Sequence, residues 1–267
     1  MKYNYKLTQD QKYQIIDKYE NGMKICDIAN EYRIDSSSIS KLLSRRNITK
    51  YSRSHINRRY QINEKFFDNI DSEIKAYFLG ILYADGCNVS NSNAIKLSLR
   101  ESDREILEKL KSFVTPNKPL TYLLTKNCEN QYALIICSKY MSEKLAQLGC
   151  QPKKSLILEF PDWLDSNLIS HFIRGYFDGD GYLSCVRATN NWKFSILGTE
   201  QFCKSIQMIL QNKLNIKSSI YKQKNIWELR TNGNKQTRKI MDWLYCDSNY
   251  YLVRKYNKYL QFKQDYS

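Results

Sequence analysis

Apolar residues return every three or four positions through the first stretch of the chain. Ile15, Ile16 and Tyr19 form a stripe that predicts a helix over residues 7–19, with Thr8 at its N-cap and Asn21-Gly22 as its stop. Ile25, Ile28 and Ala29 predict a second helix over residues 24–32, and Ile39, Leu42 and Leu43 a third beginning at Ser36. Further along the period changes. Residues 87–90 and 94–100 alternate like an antiparallel strand pair, and residues 102–114 return to helical spacing. Residues 119–126 and 131–138 form a second hairpin, and a helix over 139–148 is closed by Gly149. The same succession then repeats, with hairpins over 182–198 and 218–231 and helices over 199–214 and 234–245. Each copy is introduced by a further helix, so the order αββαββα occurs twice.

Those two introductory helices carry one motif. Phe78-Leu79-Gly80-Ile81-Leu82-Tyr83-Ala84-Asp85-Gly86 returns in degenerate form as Ile173-Arg174-Gly175-Tyr176-Phe177-Asp178-Gly179-Asp180-Gly181. In each copy two small residues stand four apart, Gly80 with Ala84 and Gly175 with Gly179, which places them on one helix face and lets two backbones approach closely. An acid and then a glycine follow, which predicts a helix ending with Gly at a left-handed C-cap. Asp85 and Asp180 would meet where the helix dipole is least favourable to carboxylates, so a cation is expected between them.

This pair of motifs resembles the LAGLIDADG homing endonucleases, with family-like spacing over roughly residues 60–265. Tyr83 replaces an acid in the first copy and Arg174 a small residue in the second. The resemblance implies an α+β fold of two pseudo-symmetric αββαββα units forming a β-saddle, to which the three N-terminal helices add a small all-α helix-turn-helix domain. The expected boundaries are 1–48 for the helix-turn-helix, 49–63 for a basic linker, 64–150 and 167–267 for the two units, and 151–166 for the connector. It further implies Mg²⁺, with Mn²⁺ able to substitute, held by Asp85 and Asp180 with help from the carbonyls of Ala84 and Gly179. Lys139 and Lys235, each opening the helix after a second hairpin, are taken as the basic catalytic residues, and Asp178 as structural.

Charge sharpens the choice of partner. Lys and Arg outnumber Asp and Glu by 42 to 27, a net charge of +15, which favours a polyanion such as double-stranded DNA. The N-terminal layout resembles the helix-turn-helix of resolvases, in which the third helix meets base edges with its first residues, here Ser36, Ser37, Ser38, Ser40 and Lys41. The stretch that follows is free of acids and carries Arg45, Arg46, Arg53, Arg58 and Arg59, suited to tracking phosphates. In the repeated units the hairpins offer Lys96, Arg100, Arg187, Lys193, Lys222, Lys224 and Arg230, together with the polar or aromatic Asn88, Ser90, Ser98, Tyr122, Tyr132 and Asn190. Lys153 and Lys154 in the connector are expected to touch phosphate.

Other classes recede. Eight scattered cysteines give no zinc or disulfide spacing, and His55 and His171 are too few and too far apart for an HNH-type nuclease. No run approaches the roughly 18 apolar residues of a membrane span, so a soluble, intracellular protein is expected, and two motif helices in one chain imply a monomer. Two rivals stay open: a DNA-binding regulator on the same scaffold that has lost cutting, and an intron RNA maturase.

Overall fold

The computed structural model describes residues 7–20, 23–48, 59–89, 92–126, 128–152 and 154–266. Ser90, Arg53, Arg58, Lys153 and the side chain of Arg187 lie outside the described residues. The chain divides into two compact units, Met1–Arg59 and Tyr60–Ser267.

The described residues of the first unit form three helices: α1 Gln9–Glu20, α2 Ile25–Glu31 and α3 Ser36–Arg45. Its first helix opens with a reciprocal cap. The Gln11 amide N–H donates to Thr8 Oγ1 at 3.2 Å, and the Thr8 N–H donates back to Gln11 Oε1 at 2.9 Å. Ile15, Tyr19, Ile28, Ala29, Ile39 and Leu43 form the core. On α3 that leaves Ser36, Ser37, Ser38, Lys41 and Arg45 exposed and Ser40 half-buried.

The second unit repeats one pattern twice. Its first half runs α4 Glu73–Ala84, β1 Gly86–Val89, β2 Ala94–Arg100, α5 Arg104–Val114, β3 Thr121–Leu123, β4 Gln131–Cys137 and α6 Lys139–Gln147. The other runs α7 Ile169–Asp180, β5 Gly181–Val186, β6 Asn191–Gly198, α8 Glu200–Leu214, β7 Ser219–Gln223, β8 Ile226–Asn232 and α9 Asn234–Tyr245. The two four-stranded antiparallel sheets share one topology, β1-β2-β4-β3 and β5-β6-β8-β7. Their inner faces, Ile95, Leu97 and Leu99 in one and Trp192, Phe194 and Ile196 in the other, belong to a common core with α4 and α7.

A further helix, α10 Val253–Asp265, lies beyond the repeat and was not expected from it. Leu252, Tyr256, Tyr259 and Phe262 give it an inward stripe, with Phe262 against Trp192 at 5.0 Å and Tyr259 stacked on Tyr245 at 5.5 Å.

The motif helices meet backbone to backbone. A Cβ at Gly80 would stand 2.1 Å from the Phe172 carbonyl oxygen, and one at Gly175 would stand 2.0 Å from that of Tyr77. No side chain fits there. The glycines that follow the acids have a different reason from the one expected. Asp85 ends α4 with φ −95°, Gly86 opens β1, and Gly181 is extended with φ −91° and ψ 161°, so neither is a left-handed cap. Instead the chain turns from helix into strand against the helix's own last turn. A Cβ would come within 2.5 Å of the Leu82 oxygen at Gly86 and within 2.1 Å of the Phe177 ring at Gly181.

Arg174, the departure in the second motif, is fully buried because four groups meet it. It donates to Glu73 Oε1 at 2.6 Å and to the carbonyls of Tyr250 and Leu244 at 2.8 Å each, and its Nη1 lies 3.0 Å from His171 Nδ1.

Candidate active site

Asp85 ends α4 and Asp180 ends α7, so the glycine-mediated crossing brings the two carboxylates together. A Cβ on Gly179 would lie 2.9 Å from Asp85 Oδ2. Each carboxylate is open to solvent on one side and crowded by protein on the other. That crowding, followed by the charge of Asp180, pushes Asp85 up to about 6, and burial raises Asp180 as well.

Cations answer this repulsion. The Lys154 ammonium donates to the carbonyl of Ala84 at 3.3 Å and to that of Gly86. Lys255 donates to the carbonyl of Phe177 at 3.3 Å and to that of Gly181. Each motif helix therefore ends on its own ammonium group, the favourable place for positive charge. Both lysines draw Asp85 and Asp180 back toward the charged form, and Arg254 does so for Asp85. Burial, and then Arg254, lowers Lys255 to about 8. Lys154 is delivered by the short turn Lys154–Leu156 in the connector, Lys255 by α10.

The donor set fits a hard divalent cation. Two facing carboxylates that repel each other supply the charge Mg²⁺ or Mn²⁺ seeks, while no group of three or more His, Cys, Asp or Glu suited to a metal occurs among the described residues. Such an ion would need further oxygen ligands beyond the two carboxylates. Of the two carbonyls offered as further ligands, that of Ala84 already accepts from Lys154.

The two lysines taken from sequence as catalytic lie on the surface. Lys139 sits 3.7 Å from Glu143 in a surface ion pair with its side chain 72% exposed, and Lys235 is exposed at the start of α9. Lys154, expected in the connector as a phosphate contact, is buried beneath the site. A signal was present: a basic pair, Lys153-Lys154 or Arg254-Lys255, follows the last helix of each repeat.

On the sheets, Lys96, Ser98 and Arg100 alternate with the buried Ile95, Leu97 and Leu99, so they share the outward face of β2. Lys193 does the same on β6, and Arg230 on β8, paired with Glu228 at 2.7 Å and lying over the Tyr221 ring at 5.1 Å. Lys222 pairs in register with Trp227, 5.8 Å from its ring, on the core-facing side, and Lys224 lies in the β7–β8 turn with φ 52°. Asn88 is corrected from a surface reader to a core residue. Its amide donates to the carbonyls of Ser142 at 2.9 Å and Cys150 at 3.1 Å and accepts from the Ser142 hydroxyl at 2.7 Å. Tyr132 packs at the core edge beneath Arg104, with Tyr122 beside it. In the first unit Arg46 lies over Tyr13 at 5.3 Å, and Arg59 ends that unit.

Asp178 is structural, as expected. Wholly buried, it accepts from the Tyr77 hydroxyl at 2.8 Å, the Tyr245 hydroxyl and the Leu252 N–H at 2.7 Å.

Residues 167–242 match the family model described as a LAGLIDADG-like domain. A stretch of 163 residues is 28% identical to part of the probable translation initiation factor IF-2 of Methanocaldococcus jannaschii, covering 57% of this chain and 12% of that protein. Among solved structures, full-length DUF199/WhiA from Thermatoga maritima aligns with a TM-score of 0.49 and 17% identity, over 76% of this chain and 65% of that one. The meganuclease I-AabMI bound to uncleaved DNA aligns with a TM-score of 0.47 and 13% identity, over 70% of this chain and 88% of that one. The chain thus spans a small part of the initiation factor and just under two thirds of the WhiA protein.

No described helix is long and apolar enough to cross a membrane.

Proposed function

We propose that the protein is a site-specific, divalent-metal-dependent endonuclease of the LAGLIDADG homing type that cuts both strands of DNA. One observation carries the reading: the two motif acids meet at the helix crossing, and each helix end holds its own lysine. A bound ion supplies Lewis-acid neutralisation of charge on the phosphoryl group. Asp85 and Asp180 hold that ion. Lys154 and Lys255 place positive charge beside the phosphate, each held at a motif-helix end by backbone carbonyls. The outward faces of the two sheets, with Lys96, Arg100, Lys193 and Arg230, contact the duplex, and α3 of the first unit adds a second point of attachment.

The test begins with cleavage-site selection on randomised duplex DNA with Mg²⁺. On the selected duplex, Asp85→Asn and Asp180→Asn are each expected to lower linearisation at least about 100-fold while binding in Ca²⁺ stays within about tenfold. Full activity in either variant sinks the assignment. Tight binding with no cutting by the wild-type chain makes the silent DNA-binding regulator the better reading.

A further inference from the structure

The two lysines reach the site by different routes, and their anchors differ in kind. In the second half the hydroxyl of Thr199, the N-cap of α8, donates to the carbonyl of Leu158, four residues beyond Lys154. That anchor is neutral. In the first half the corresponding N-cap of α5 is Asp103, and it accepts from Arg254 Nε at 2.8 Å, one residue before Lys255. This anchor is an ion pair across the two halves. Asp103 is 4% exposed and its second oxygen has no hydrogen-bond partner, so Arg254 is the charge that makes its burial tolerable. The same guanidinium donates through Nη2 to the Asp178 carbonyl at 3.4 Å, near the end of α7 where Lys255 also binds. One side chain therefore ties α10, the end of α7 and the first half together.

We propose that Arg254 is a positioning residue: by holding α10 to Asp103 it places Lys255, and so governs the break in one DNA strand without governing the other. The inference rests on the endonuclease reading. Pseudo-symmetry assigns Lys154 to the end of the first motif helix and Lys255 to the end of the second, so a fault confined to α10 reaches one ammonium group directly. Arg254→Lys keeps the charge but loses the planar fork that spans two acceptors.

The experiment follows each strand of the selected duplex separately with end labels, in Mg²⁺, for the wild-type chain and for K255M, R254Q, R254K and D103N. K255M identifies the strand that Lys255 serves. R254Q and D103N are expected to slow that same strand at least about tenfold and the other less than about threefold, with R254K in between. Equal slowing of both strands, or of neither, overturns the proposal, because a general loss of structure does not choose a strand. Should the wild-type chain cut nothing, the endonuclease reading fails, and amide exchange decides the anchoring separately. R254Q and D103N are then expected to speed exchange in residues 253–265 about tenfold while α4 and α7 keep their protection. Unchanged exchange in α10 overturns it.

Discussion

The two halves place different residues at the same motif position, two before the acid. In the first half it is Tyr83, whose hydroxyl donates to the Leu148 carbonyl and whose ring meets Phe172 edge-on at 4.9 Å. In the second it is Asp178, which accepts from the Leu252 N–H and from two phenols. The hydrogen bond runs in opposite directions, yet both grip the segment that leads to the site lysine. Leu148 precedes Lys154 and Leu252 precedes Lys255. What the repeat preserves is the tethering of that segment, with the chemistry of the tether free to invert.

The largest effect should come from the lysines themselves. K154M and K255M are each expected to lower cleavage by about 100-fold with little change in binding, since they remove the cations beside the phosphate where negative charge develops. K139Q and K235Q, on the surface, should stay within about twofold. Equal effects from all four would erase the distinction between site and surface lysines.

The tethers come next. Asp178→Ala strands two phenols and a backbone N–H in the core and should lower unfolding stability by about 3 kcal/mol or more. Tyr83→Phe leaves one carbonyl unpaired and should lose about 1 kcal/mol. Urea denaturation measures both, and a reversed order would mean that the first half, not the second, holds the unit together.

The smallest effect is one of pH on the metal-free protein. Asp85 stands at about 6 when folded against an ordinary 3.8, so the folded state keeps a proton that the unfolded chain releases. The stability this gives is fully present below the unfolded value and is lost as pH rises through about 6. The wild-type melting temperature, measured relative to Asp85→Asn, should fall by a few degrees between pH 4 and pH 6.5, kept small by the solvent-facing side of the carboxylate. A difference that stays flat would show that neither burial nor the charge of Asp180 raises Asp85.

Much of this was legible because periodicity records burial. The α9 helix spans the residues its spacing marks out, and Thr199, at the start of the α8 pattern, accepts from the Phe202 N–H as an N-cap. The α10 stripe of Leu252, Tyr256, Tyr259 and Phe262 was equally readable but falls outside the repeat. What local pattern cannot carry is a partner far along the chain. Asn88 sits in a strand, yet its place is decided by Ser142 and Cys150, and Arg174 is tolerated in the core because Glu73 lies across the helix crossing. Lys255 went unnamed, and Lys154 was not linked to the acids, for the same reason. Spacing ranks the basic residues of a helix but does not say which loop folds back beneath the acids.

At Gly80 and Gly175 the main chains of the two halves touch, with no side chain between them. The separation of the acids is consequently inherited from peptide geometry, the one component that mutation of the surrounding residues leaves alone. The outward faces of the two sheets can therefore change without moving the centre: the crossing behaves as a standard coupling between the halves.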